Sequence, residues 1–265
     1  MDNTGERMLP EASDGATFWE HIHRYRLAVR QVRGKEVLDI ACGEGYGTAA
    51  LRSASGQAVL GVDISEAACA HAAAKYGVAT RVGSALEIPC ESRSRDVVVS
   101  FETIEHLTDP ARFISEIRRV LRPDGSLIVS TPDRDVYREM TPANAHHLSE
   151  LTAVEFTRLL RANFRAVDLF VQRPWRVRWW SPFQLAADDS PLFRLRGSYR
   201  LVRLLRHILC PHVVRQDAAG HRRDPVATIL SPWIRDGALV NPYAVVRQGA
   251  AWGVTPVYLV ALCRV

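Results

Sequence analysis

The chain lacks any Cys-x-x-Cys pair. Its five cysteines, Cys42, Cys69, Cys90, Cys210 and Cys263, are scattered. That excludes a framework of closely paired disulfides and fits reduced, mostly buried thiols of an intracellular protein. No basic n-region followed by an apolar h-region opens the sequence, so no secretory signal is read. No apolar run approaches the roughly 20 residues that span a bilayer. These absences predict a soluble, cytoplasmic protein without membrane insertion. No internal repeat is present. Lysine is missing from residues 158–265, where 17 arginines face 6 acidic side chains, whereas residues 1–157 hold 17 basic and 23 acidic ones. The net charge of +5 therefore hides an acidic first part and a basic second part. The basic part suits phosphates, an acidic surface or a polyol, or else arginine simply fills every solvated cationic position.

With 265 residues, 47% of them hydrophobic, the chain can bury a full core as one large domain. Phe18–Val32 reads as a helix, from the helical spacing of Phe18, Ile22, Tyr25 and Val29. Strands are read at Val37–Ala41, Ala58–Val62, Thr80–Gly83, Asp96–Phe101, Ser126–Ser130, Ala166–Gln172 and Val257–Val265. Helices fall between them at Gly47–Ser53, at Glu66–Tyr76 capped by Ser65 and ended by Gly77, at Pro110–Leu121 and at Thr152–Ala162. Pro123-Asp-Gly125 reads as a tight turn. This alternation predicts an α/β, Rossmann-like doubly wound sheet of seven mostly parallel strands, with a long insertion between the last two. We divide the single domain 1–265 into an N-terminal helical segment (1–33), a core (34–172), an insertion (173–256) and a last strand (257–265) that pairs with the sixth. The insertion is rich in Arg, Trp and Pro, and Arg200–Leu209 within it reads as a basic amphipathic helix. Mobility is expected around Ala186–Asp224.

Chemistry enters at Glu36-Val-Leu-Asp-Ile-Ala-Cys-Gly-Glu-Gly-Tyr-Gly47, a buried strand running into a glycine-rich turn and a helix start. Glycines at 43, 45 and 47 let the backbone turn sharply and approach a ligand, at which the helix N-terminus points its free N–H groups. Asp63 ends the second strand, where an acid binds ribose hydroxyls. The spacing Gly43-x-Gly45-x-Gly47 departs from the dinucleotide pattern Gly-x-Gly-x-x-Gly, and no Gly-Lys-Ser/Thr is present for a nucleoside triphosphate. Asp39, just before the turn, would repel a pyrophosphate and suits a ligand carrying an amino group and a sulfonium.

Val37-Leu-Asp-Ile-Ala-Cys-Gly-Glu-Gly-Tyr-Gly47 resembles motif I of the class I S-adenosylmethionine (SAM)-dependent methyltransferases. Gly61-Val-Asp-Ile-Ser65 resembles their ribose-binding strand end, Asp96–Phe101 their motif IV, and Leu121-Arg-Pro-Asp-Gly-Ser-Leu127 the turn before strand five. Gly83-Ser-Ala85 stands where the family commonly has Gly-Asp-Ala, with Ser84 in place of the acid. The likeness covers roughly residues 35–172 and implies SAM as cofactor. It further implies that Asp39, Ala41, Gly43 and Gly45 hold the cofactor from the first turn, and Asp63, Ile64, Ser84, Ala85 and Phe101 from the neighbouring strand ends. Arg24 or Tyr25 would reach the SAM carboxylate from the preceding helix.

Glu102-Thr-Ile-Glu105-His106 follows strand four, and a helical turn there would put its three ligand-type side chains on one face. His146-His147-Leu-Ser-Glu150 lies after strand five, near the same sheet edge. Carboxylates there suit Mg²⁺, while the imidazoles suit Mn²⁺, Co²⁺ or Zn²⁺. The pattern resembles metal-assisted O-methyltransferases of small-RNA 3′ ends and of ubiquinone-type pathways. It implies Glu102, Glu105, His106 and His147 as ligands of a divalent metal, magnesium first and manganese second. Glu102 and His146 are the catalytic candidates, His146 as general base. Thr4–Glu11 and His21–Tyr25 resemble the start of a bacterial subgroup associated with surface-polysaccharide modification. Trp175, Trp179, Trp180, Trp233 and Trp252, beside arginines, suit the stacking of sugar faces or of RNA bases.

The expected function is O-methylation of a saccharide or glycoside hydroxyl. RNA 3′-terminal 2′-O-methylation, small-metabolite O-methylation and a non-catalytic SAM-binding role are the alternatives. Nucleic acid is the less favoured partner, and a homodimer stays open.

Overall fold

The structure is a computed structural model that describes Met8, Pro10 and residues 15–140, 144–177, 224–231, 245–247 and 254–265. Its strands are β1 (Val37–Ile40), β2 (Val59–Asp63), β3 (Ala79–Val82), β4 (Arg95–Phe101), β5 (Leu121–Pro132), β6 (Ala166–Val177), β7 (Val246–Arg247) and β8 (Val254–Arg264). Its helices are α1 (Gly15–Val29), α2 (Tyr46–Ser55), α3 (Glu66–Tyr76), α4 (Pro110–Val120), α5 (Arg134–Met140), α6 (Ala153–Asn163) and α7 (Pro225–Leu230). A 3-10 turn covers Ile104–His106.

The strands form one sheet in the order β3-β2-β1-β4-β5-β8-β6-β7. β1 to β5 are parallel. β8 runs antiparallel to both β5 and β6, and β7 antiparallel to β6. β1 and β4 are neighbours although β2 and β3 intervene in sequence, so the order reverses between them. Open α/β sheets bind ligands at the carboxyl ends of strands at such a reversal.

The side-chain period of two divides each strand between two packed faces. Val97 and Val99 of β4 pack with Phe18, Ile22 and Tyr25 of α1 and with Ala50 and Leu51 of α2. Val98 packs with Phe113, Ile114 and Ile117 of α4 and with Phe156 and Leu160 of α6. Helix ends follow their local chemistry. Ser65 Oγ accepts from Ala68 N, Gly77 closes α3 in the left-handed conformation, and Thr152 and Glu155 form a reciprocal capping box.

Several expectations change. Beyond the seven anticipated strands, β7 adds a two-residue eighth at the sheet edge. The expected turn at Pro123–Gly125 is a bulge inside β5: Leu121 pairs with Arg95 and Ser126 with Val97, and residues 122–125 loop out between them. α5 and α7 were not anticipated. α7 docks Ile229 into the core beneath α1, where Arg26 Nη1 donates to the carbonyls of Ile229 (2.8 Å) and Ser231 (2.7 Å). That contact anchors residues 225–231 of the 173–256 insertion against α1 and α2. The expected helix at Arg200–Leu209, the stretch 186–223 and the side chains of Trp175, Trp179, Trp180, Trp233 and Trp252 lie outside the described residues. Among the described residues no helix is long and apolar enough to cross a membrane.

Candidate active site

The carboxyl ends of β1, β2 and β4 open into a cavity of about 360 Å³. Ala41, Cys42 and Gly43 line it from the first turn, Asp63 and Ile64 from the end of β2, Ser84 and Ala85 from the end of β3, and Phe101 and Glu102 from β4. Met8 and the α1 residues His21 and Tyr25 close the other end.

The three glycines of the loop do different work. Gly43 (φ +51°) has open space where a Cβ would stand, and its amide donates to Asp63 Oδ2 at 2.9 Å. Gly45 (φ +82°) does not line the cavity; a Cβ there would lie 2.3 Å from the Ala72 Cβ of α3. At Gly47 a Cβ would lie 2.0 Å from the Tyr25 ring. Only the first glycine lines the cavity, and the other two make room for packing. Ala41, with φ 57°, takes a left-handed conformation that side chains disfavour, which turns the chain out of β1 into the cavity wall.

Asp39 is fully buried and off the cavity surface. Its carboxylate accepts from Thr48 Oγ1 (2.7 Å) and from the Tyr25 hydroxyl (3.2 and 3.3 Å). Burial raises its pKa from 3.8 to about 7, against the pull of those two hydrogen bonds. It therefore braces the loop from behind, away from the cavity surface. Asp63 accepts from Gly43 N and Ser65 N (both 2.9 Å) and stands on the cavity wall. Ile64, 75% exposed, offers an apolar surface beside it.

Arg24 is 1% exposed and does not line the cavity. Its Nε donates to Gln172 Oε1 at 2.8 Å, its guanidinium lies 4.4 Å from the Tyr258 ring centroid, and Nη1 stands 3.4 Å from Glu102 Oε1. In place of the expected cofactor carboxylate, Arg24 meets a carboxylate of the protein.

Glu105, His106 and His147 bring one ligand atom each within 4.8 Å of one another. Glu102 stands apart from this trio, paired with Arg24 and accepting from Ser130 Oγ at 2.6 Å. Its φ of 51° explains the divergence: the left-handed residue turns the backbone between Phe101 and the 3-10 turn, so Glu102 and Glu105 do not share a helical face. Glu105 is 1% exposed, and burial, then the neighbouring Glu102, push its carboxyl well above the usual range. Its carbonyl accepts from the amides of Leu148 (2.8 Å) and Ser149 (3.0 Å), which fastens the 144–150 loop to the turn. His106 Nδ1 lies 3.1 Å from the His146 carbonyl, and His147 Nδ1 lies 2.8 Å from Glu150 Oε1. A carbonyl or carboxylate oxygen only accepts, so each Nδ1 donates, and in a neutral imidazole so placed Nε2 is the ligating nitrogen. A buried carboxylate with two such imidazoles fits a divalent cation, and the N,N,O donor set suits Mn²⁺, Co²⁺ or Zn²⁺ better than Mg²⁺. The His146 side chain is exposed.

Several wall and support residues were missed or underread in the sequence: Met8, His21, Tyr46, Thr48, Tyr137 and Glu150. His21 was legible as the residue one helical turn before Tyr25; its Nδ1 lies 2.9 Å from the Tyr46 hydroxyl, and burial, then Arg24, lower its pKa. Met8 carried no local signal.

Residues 38–129 match the family described as "Methyltransferase domain". That stretch is therefore similar to the methyltransferase domain, and it spans β1 to most of β5. A Mycolicibacterium smegmatis protein named a probable S-adenosylmethionine-dependent methyltransferase is 43% identical over 171 residues, covering 62% of this chain and 66% of that protein. A Mycobacterium tuberculosis protein of the same description is 41% identical over 162 residues, covering 59% of this chain and 58% of that protein. The chain thus spans less than two thirds of either relative. The ubiquinone biosynthesis O-methyltransferase of Pseudomonas aeruginosa is 36% identical over 111 residues, 38% of this chain and 46% of that protein. Among solved structures, a SAM-dependent methyltransferase of Thermotoga maritima shares the fold with a TM-score of 0.53 at 18% identity, over 93% of this chain and 92% of that one. One from Archaeoglobus fulgidus gives 0.52 at 16% identity, over 95% and 100%.

Proposed function

We propose that this methyltransferase domain transfers the methyl group of SAM to a hydroxyl oxygen, and that Glu105, His106 and His147 hold a divalent cation beside the acceptor. The observation that carries the reading is the position of this trio, since His106 belongs both to it and to the cavity wall.

SAM supplies an electrophilic methyl on a sulfonium, and a bound divalent cation supplies a Lewis acid that lowers the pKa of a coordinated hydroxyl. The remaining work belongs to the chain. Asp63 offers its carboxylate to the ribose hydroxyls, and Ile64, Ser84 and Ala85 form the wall for the adenine. Asp39, Thr48 and Tyr25 keep the glycine loop rigid, so that the reacting atoms are held in one orientation. Glu102 lines the cavity and offers a negative group beside the sulfonium. His146 adjoins His147 on an exposed loop and is our candidate general base, with an open path for the proton to solvent.

For the acceptor we propose a saccharide or glycoside presenting vicinal hydroxyls, which can chelate the cation and so be oriented. The N-terminal resemblance and the Trp- and Arg-rich insertion motivate this choice. The P. aeruginosa relative's name favours a second reading, O-methylation of a small metabolite such as a quinone precursor. A transfer assay with methyl-labelled SAM on oligosaccharides, hydroxylated quinone precursors and a small RNA separates these acceptors. Activity that survives EDTA, or that is unchanged in Glu105→Ala, overturns the cation. SAM binding with no turnover on any acceptor favours a non-catalytic role.

A further inference from the structure

We propose that Glu150 is a positioning residue for His147: its carboxylate, itself held by Arg138, fixes the imidazole so that Nε2 is presented to Glu105 and His106, and thereby sets the affinity for the cation. The proposal rests on the divalent-cation reading above.

Glu150 does not line the cavity and does not belong to the trio. Its side chain is nevertheless only 6% exposed, like that of His147. A buried carboxylate is costly unless paired. Here Oε1 faces His147 Nδ1 at 2.8 Å and Oε2 accepts from Arg138 Nε of α5. The loop itself does not need this pairing to stay in place, because Leu148 N and Ser149 N already fasten it to the Glu105 carbonyl. What the backbone bonds leave undetermined is the rotation of the ring and the nitrogen that carries its proton. Glu150 decides both, since an ionised carboxylate accepts only from a protonated Nδ1. The Tyr137 ring, 5.3 Å from that of His147 and tilted by 31°, limits the remaining rotation. His106 Nδ1 faces the His146 carbonyl at 3.1 Å, a comparable arrangement behind the second imidazole. Partners of this kind behind a ligating histidine typically change metal affinity by about 10–100-fold when removed.

The test uses the full chain with Mn²⁺ as probe, its affinity read by calorimetry, alongside SAM affinity and the thermal midpoint in EDTA. Glu150→Ala is expected to weaken Mn²⁺ binding by about 10–100-fold, with SAM affinity unchanged. Glu150→Gln keeps an acceptor oxygen and is expected to recover part of the loss. Arg138→Gln, at an arginine 64% exposed, is expected to weaken binding less than Glu150→Ala does. Mn²⁺ binding by Glu150→Ala as tight as in the wild type overturns the positioning role, as does an equal loss of SAM affinity. A wild type that binds no Mn²⁺ overturns the cation reading itself. Independently of any variant's folding, ¹⁵N-histidine spectra of the metal-free wild type are expected to show His147 as the Nδ1–H tautomer, and the Nε2–H form overturns the proposal.

Discussion

At the scale of single residues, identical letters carry different burdens. Gly43, Gly45 and Gly47 read alike in the sequence, yet an added Cβ meets nothing at the first, Ala72 at the second and the Tyr25 ring at the third. Gly43→Ala is expected to cost about 1–2 kcal/mol, the strain of a left-handed alanine. Gly45→Ala adds a clash with α3 to a φ of +82° and should cost more, and Gly47→Ala should cost about 1–3 kcal/mol from overpacking against Tyr25. Denaturant unfolding of the three variants gives the order directly, and a Gly43→Ala less stable than Gly45→Ala contradicts it. Asp39 gives a pH signature. Its carboxyl binds a proton more tightly in the fold (pKa about 7) than at its ordinary value of 3.8, so the native state holds more protons between those limits. Its contribution to stability therefore falls as pH rises from about 4 to about 7. Asp39→Asn keeps an acceptor oxygen for Thr48 and Tyr25, and urea midpoints measured across that window should decline less steeply for it than for the wild type.

At the scale of elements, what was legible depended on length and caps. α3 is framed by Ser65 and Gly77 and α6 by Thr152 and Glu155, and both appear within a residue of their expected bounds because capping is local chemistry. α5 is seven residues of mostly polar sequence and α7 only six, too short for a helical period to declare itself. The segment after β4 shows the opposite case. Glu-x-x-Glu-His suggested one face of a helix, but Glu102 takes a positive φ and turns to Arg24 of α1. Arg24 is the counter-charge for neighbouring carboxylates, Glu102 first and then Glu20 and Glu105, and takes part of its hold from Gln172 of β6. Arg24→Met is expected to destabilise the fold by about 3–5 kcal/mol, since it leaves a carboxylate pair without its cation. The double variant Arg24→Met with Glu102→Gln should regain part of that loss in chemical denaturation. A single variant as stable as the wild type removes the pair from any structural role.

At the scale of the whole molecule, β8 closes the sheet. It lies between β5 and β6 and pairs with both, so the last strand in sequence completes the interior of the sheet and not its edge. Removing residues 254–265 would leave two unpaired edges and uncover Val129 and Ile128. The shortened chain is expected to lose its cooperative calorimetric transition, and a retained transition would show that the sheet stands without β8. The sequence by itself determined the order of the β–α units, their caps and the glycine turn after β1, because periodicity and capping act over a few residues. It also supplied the ligand types at 102–106 and 146–150. Only the tertiary structure decided which of them meet: that Arg24 takes Glu102, that Glu105, His106 and His147 converge, and that Glu150 stands behind His147. Such pairings depend on burial and on charges brought together by the sheet, and a buried side chain takes the partner that the surrounding layers place beside it, at whatever distance along the chain.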